Sequence, residues 1–136
     1  MIEINNLIKK RIDEKFFKKI AEKVLKEEKK EKTNLSIAFV EQKRIKELNK
    51  RYRGKDKATD VLSFSNQEAK IPAPEGLGEI VICPQKVRKI SFNKELSRVL
   101  IHGILHLLGY DHEKSKKEAE LMEKKQELYL RKYFHG

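Results

Sequence analysis

The chain has 136 residues, a formal net charge of +11 and a single cysteine, Cys83. That length supports one domain over 1–136 with one core, and a lone cysteine excludes the disulfide framework of small secreted domains. No apolar stretch of about 20 residues is available to span a bilayer and no signal-peptide core opens the chain, so a cytoplasmic protein without membrane contact is expected.

Residues 1–5 alternate apolar and polar, which predicts a short strand. Over 8–30, Ile8, Ile12, Phe16, Ile20 and Val24 recur every four residues, which predicts an amphipathic helix. Residues 35–40 read as a second strand, entered through a turn at 32–34. Helical spacing returns over 41–51 through Ile45 and Leu48. Residues 60–64 and 78–83 read as two strands of a hairpin. The loop between them, 66–77, carries Pro72 and Pro74, with Gly76 and Gly78 adding flexibility at its end. Pro84 closes the fourth strand and opens a short helical connection to Lys89. Residues 93–108 predict a buried helix, and 115–133 a closing helix that sets Leu121, Leu128 and Leu130 among charges. This order predicts an α/β (α+β-like) single domain: a mixed sheet of about four strands packed with about five helices.

The charge is unevenly spread. Residues 43–57 hold eight Lys/Arg against Glu47 and Asp56, and residues 86–98 hold five against Glu95. Solubility needs only a few charges, so a concentrated excess points to a polyanion, and nucleic acid is the expected partner.

Three of the four histidines fall within eleven residues: His102-Gly103-Ile104-Leu105-His106-Leu107-Leu108-Gly109-Tyr110-Asp111-His112. His102 and His106, four apart, lie on one face of a helix. Gly109 ends that helix in a left-handed residue, so the chain folds back and returns His112 to the same point. Three imidazoles suit one tetrahedral Zn²⁺ per chain at the end of a buried helix, with the fourth position open for catalysis. The spacing matches the long zinc-protease pattern except that Gly103 stands where those enzymes carry their glutamate base, which argues against peptide cleavage. Asp111 and Glu79 are the carboxylates open as a base or as an orienting group. Cys83 reads as a packed strand residue. Tyr52 and Phe64 read as packing aromatics, with stacking on unpaired bases as the alternative.

Taken in order, Asn49-x-x-Tyr52-Arg53-Gly54-Lys55-Asp56-x-x-Thr59-Asp60-Val61-Leu62-Ser63-Phe64, Gly78-Glu79-Ile80 and the histidine segment resemble the YbeY family of bacterial ribosomal RNA maturation factors. Ala58 and Ser65 depart from the proline that relatives often carry there. The resemblance implies a single-strand-specific, metal-dependent endoribonuclease. It would act on ribosomal RNA in maturing the 3′ end of the small-subunit species and in ribosome quality control, with the ribosomal small subunit as partner. It puts the zinc ligands on His102, His106 and His112 and a functionally important arginine on Arg53. A guanidinium there, beside Lys55 and Lys57 in a loop, would clamp the scissile phosphate. Two other readings stay open: a zinc peptidase, and a non-catalytic RNA-binding assembly factor with a structural metal.

Overall fold

The parallel core of the sheet is built by β1 (Ile2–Asn6), β2 (Asn34–Phe39) and β4 (Gly76–Ile82), with β3 (Val61–Ser65) antiparallel on the outer side of β4. These assignments come from a computed structural model that describes residues 1–65 and 76–135. Around the sheet lie α1 (Glu14–Glu27), α2 (Gln42–Arg53), α3 (Phe92–Leu107) and α4 (Lys116–Tyr133), with a short 3-10 turn at Pro84–Lys86. The expected mixed four-stranded sheet is present, and the helices number four and one short turn among the described residues.

Strand alternation divides the core in two. Leu35, Ile37 and Phe39 of β2 and Ile80 and Ile82 of β4 face α1, α3 and α4. Ala38, Leu62, Phe64 and Val81 point to the other face, which α2 covers with Ile45. Cys83 lies buried in this second cluster, as a packed residue.

The four-residue spacing of 8–30 overstates α1. The helix starts at Glu14, because the Asp13 carboxylate accepts the Phe16 N–H at 3.2 Å and caps it. Upstream, the Asn6 side chain accepts from Ile8 N–H at 3.1 Å and donates to the Lys10 carbonyl at 3.0 Å, which holds 6–10 in a non-helical turn. Ile12 still packs into the core, so periodicity reported burial there and not helix.

Two further expectations change. In α4, capped by Ser115 Oγ on Glu118 N–H at 3.1 Å, the buried stripe is Met122, Tyr129 and Leu130; Leu121 and Leu128 are exposed. Gly76 and Gly78 belong to β4 rather than to a flexible loop, and the expected loop over 66–75 lies outside the described residues. Asn34 pairs with Gly76 and Leu35 with Gly78, so Leu77 is the extra residue of a bulge. Gly78 sits at φ +144, and a Cβ there would lie 2.2 Å from the Phe64 carbonyl oxygen.

Gly78→Ala should therefore destabilise the fold by at least about 2 kcal/mol, the scale of backbone clash plus a forbidden φ. The urea midpoint measures it; an unchanged midpoint would show that β3 and β4 can separate freely at Gly78.

Candidate functional site

Helix α3 owes its position to the residue between two histidine turns. Gly103 is buried against the sheet, where a Cβ would come within 3.0 Å of Ile80 Cγ2 and 3.3 Å of Ser63 Oγ. A glutamate there would push into the sheet, and glycine lacks the base a zinc protease would use, which weighs against the peptidase reading. The close approach leaves His102 half-buried and His106 exposed at the end of the helix.

The helix then ends as its sequence predicts. Gly109 N–H donates to the His106 carbonyl and Tyr110 N–H to the Leu105 carbonyl, both at 3.1 Å, with Gly109 at φ +106. This paired closure reverses the chain. Asp111 does not orient an imidazole: its Oδ1 accepts the Glu113 N–H at 2.9 Å and so shapes the turn that presents His112. The rings of His102 and His112 lie 5.3 Å apart, and those of His106 and His112 6.0 Å. The three imidazoles are thus neighbours at one corner. Among the described residues, however, no group of three or more His, Cys, Asp or Glu side chains is arranged to hold a metal ion.

The donor set nevertheless suits one. His102 Nδ1 lies 2.8 Å from Gln126 Oε1. The Gln126 amide is oriented by its own donation to Glu127 Oε2 at 3.2 Å, so its oxygen faces the imidazole and Nδ1 carries the proton. Glu127 is in turn held by Arg98, through Nε at 2.8 Å and Nη2 at 3.0 Å. Nε2 of His102 is left with its lone pair, which is how protein ligands to metals are usually oriented. Burial pushes the His102 pKa down and the neighbouring His112 and His106 add to the effect, favouring the neutral, ligating form. Sequence reasoning missed Gln126. Its signal was its spacing, four residues from both Met122 and Leu130, which puts an amide on the inward stripe of α4.

A carboxylate just past the end of α1 ties these parts together. Glu28, whose side chain is 11% exposed, accepts from Tyr110 Oη at 2.9 Å, from Lys125 Nζ at 3.0 Å and from Tyr129 Oη. Tyr110 belongs to the histidine turn, and Lys125 and Tyr129 to the helix that carries Gln126. Burial alone would raise the Glu28 pKa, but hydrogen bonds from Tyr129, Lys125 and Tyr110 outweigh it and hold the carboxyl below its ordinary value.

Arg53 lies at the end of α2, not in a loop. Its helical turn continues to Gly54, and Asn49 Nδ2 donates to the Lys57 carbonyl at 2.9 Å to fasten the segment beyond. The Arg53 guanidinium sits 4.9 Å from the Phe64 ring centroid and donates from Nη2 to the Ser63 carbonyl at 2.8 Å. Ser63 Oγ in turn donates to the Gly103 carbonyl at 3.4 Å. One strand residue therefore joins Arg53 to the histidine-bearing helix. Phe64 and Tyr52 pack edge to face and serve the core under α2. Glu79 is on that same α2 face, directly opposite Phe64 in the ladder, with burial raising its pKa and Arg44 opposing that rise; it does not face the histidines.

The sequence pattern of a family described as Endoribonuclease YbeY matches residues 3–134. A protein of that name from Persephonella marina is 44% identical over 119 residues, covering 82% of this chain and 77% of its own. One from Sulfurihydrogenibium sp. is 41% identical over 119 residues, covering 83% and 78%. The solution structure of a Thermotoga maritima protein superimposes with a TM-score of 0.64 at 36% identity, covering 96% of this chain and 87% of that one.

The depressed Glu28 pKa gives a signed prediction. A carboxyl lowered on folding contributes stability above its unfolded pKa and loses it as pH falls through the folded value. Glu28→Gln should cost about 1–3 kcal/mol at pH 7, the range for disrupting a buried charged hydrogen-bond group. That difference should shrink on acidification below the ordinary carboxylate range. A difference in urea midpoints that stays constant into acid would contradict it.

Proposed function

The chain belongs to the endoribonuclease YbeY family, and from that premise we propose that it cuts unpaired RNA with one zinc ion held by His102, His106 and His112. We place its action in maturing the 3′ end of small-subunit ribosomal RNA, on the ribosomal small subunit and in the cytoplasm. Membership carries the coarser statement by itself: the chain is an endoribonuclease, a hydrolase of RNA phosphodiester bonds. Among the described residues no helix is long and apolar enough to cross a membrane.

The observation that supports the metal is the gathering of three imidazoles at the closed end of α3, one of them with its tautomer set by Gln126. A zinc ion held by His102, His106 and His112 would supply Lewis-acid chemistry and water activation near neutral pH. The protein's own groups do the rest. Arg53 offers a planar, permanently charged fork that pairs with two phosphate oxygens and meets the charge that grows on them. Phe64 and the Ser63 carbonyl limit the rotation of that fork. Gln126 keeps the His102 ring in register. Unpaired RNA is the substrate because a stiff duplex does not bend its backbone into one corner of the protein.

Metal analysis should find close to one zinc per chain, and His106→Ala should lose it. Chelator should abolish cleavage of single-stranded RNA, zinc should restore it, and duplex RNA should resist. Full zinc occupancy in His106→Ala would refute the ligand assignment.

Arg53→Ala should raise the barrier by about 2–4 kcal/mol, the range for one preorganised charge donor. Single-turnover rates at saturating RNA should then fall by roughly 30- to 1,000-fold. Zinc content should be unchanged and RNA affinity should fall far less than the rate. Weaker RNA affinity with an unchanged rate at saturation would make Arg53 a ground-state binding group. An unchanged rate together with unchanged affinity would make it a bystander.

A further inference from the structure

In both basic stretches read from the sequence, some cations are paired and others are not. Within 43–57, Arg44 pairs with Glu47, and Lys46 and Lys50 with Asp56. Within 86–98, Arg98 is spent on Glu95 and Glu127. Lys86, Arg88 and Lys89 form no ion pair among the described residues. The fold brings Lys9 and Lys10, also exposed and without ion pairs, beside Lys89 from more than 70 positions away in sequence.

Between these segments lies a cleft of about 750 Å³. Lys9 and Lys10 enter it from the end of β1, Glu41 from the end of β2, and Gln85 and Lys89 from the end of β4. It thus opens at the carboxyl ends of all three parallel strands. Beyond its carboxyl end β1 leads to α1 on one face of the sheet, and β2, beside it, leads to α2 on the other. A crevice where neighbouring strands send their helices to opposite faces is the general ligand position of open α/β sheets. Phe92 forms part of the wall, with the Lys10 ammonium 3.9 Å from its ring centroid, and exposed Leu7 and Ile90 are close by in sequence.

We propose that this cleft is a second RNA-binding surface, which holds the backbone of the substrate strand away from the point of cleavage. The proposal rests on RNA as the substrate. Three cations without ion pairs, Lys9 and Lys10 on one bank and Lys89 on the other, against Glu41 alone in the lining, suit a run of phosphates better than one small anion, which calls for convergent donors. Phe92 and its apolar neighbours offer surface to unstacked bases. The cleft lies at the opposite end of α3 from the histidines. Phe92 and His106 are fourteen residues apart on that helix, which is roughly 21 Å along its axis. A strand that engages both points must be longer than one held at the histidines alone.

The test compares unstructured, labelled RNA of about 5 and about 20 nucleotides, below and above the usual single-strand site sizes. Binding is measured by anisotropy in chelator, so that cutting plays no part. The full chain is compared with Lys9→Glu/Lys89→Glu and with Lys30→Glu/Lys32→Glu, which makes the same charge change before β2, at the amino end of the sheet. Melting temperature controls for folding; should the reversal unfold the protein, Lys9→Ala/Lys89→Ala replaces it.

The cleft variant should bind the long strand roughly tenfold more weakly and lose about 0.7 in salt slope per phosphate contact removed. Its affinity for the short strand, and its cleavage of that strand with zinc restored, should be nearly unchanged. Unaltered affinity for the long strand overturns the proposal. So does an equal loss in the Lys30/Lys32 control, which would mean net charge alone, or an equal loss for both lengths. Competition by inorganic phosphate or a mononucleotide at low ionic strength, without effect of RNA length, would assign the cleft to a small anion instead. If the wild type binds the long strand through the cleft yet cuts neither strand, the nuclease reading fails and the surface stands.

Discussion

The contact on which the site depends is the one between α3 and the sheet at Gly103. With hydrogen in place of a side chain, the helix settles onto Ile80 and Ser63 so closely that even a Cβ would meet Ile80 Cγ2 at 3.0 Å. Two consequences follow from that one approach. His102 and His106, on the turns either side, are carried to the rim of the core, where Gln126 orients the His102 ring. Ser63 becomes a bridge whose hydroxyl meets α3 and whose carbonyl receives Arg53 from α2. Helices on opposite faces of the sheet are thereby coupled through an edge strand.

Around this contact, charge is used as scaffolding on one side and left free on another. Glu28, Glu127, Arg98 and Lys125 are joined in partly buried hydrogen-bonded pairs that lock α4 to α1 and α3. Such pairs form where desolvation makes an unpartnered charge costly, so they fix geometry more than they add stability. They end at Gln126 and Tyr110, one on each side of the histidines. At the carboxyl edge of the sheet the cations stay solvated and unpaired, where they cost little and attract a polyanion through water.

Two kinds of residue were misplaced or missed by sequence alone, for different reasons. Arg53 and the start of α1 were errors of boundary: local backbone N–H bonds accepted by the Asn6 and Asp13 side chains delayed one helix, and α2 ran on to Gly54. Glu28 and Gln126 were errors of context. A glutamate at the end of a lysine-rich helix and a glutamine in a charged one look solvated until the elements that face them are known. Leu121 and Leu128 are the converse, apolar residues on a face that nothing covers among the described residues.

What the sequence determined was whatever a periodicity or a turn residue encodes locally. This includes the strands, the buried helix over 93–108, the reversal at Gly109 and the membership of His102, His106 and His112 in one cluster. These depend on interactions within a dozen residues, and a short window contains all the partners. Only the tertiary structure decided which face of the sheet each group occupies. It turned Glu79 away from the histidines and brought Gln126 against His102. It also joined Lys9 and Lys10 to Lys89 across a cleft. Those outcomes follow from strand order and from which helix crosses which face, and that arrangement is fixed by the packing of the whole chain, not by any segment of it.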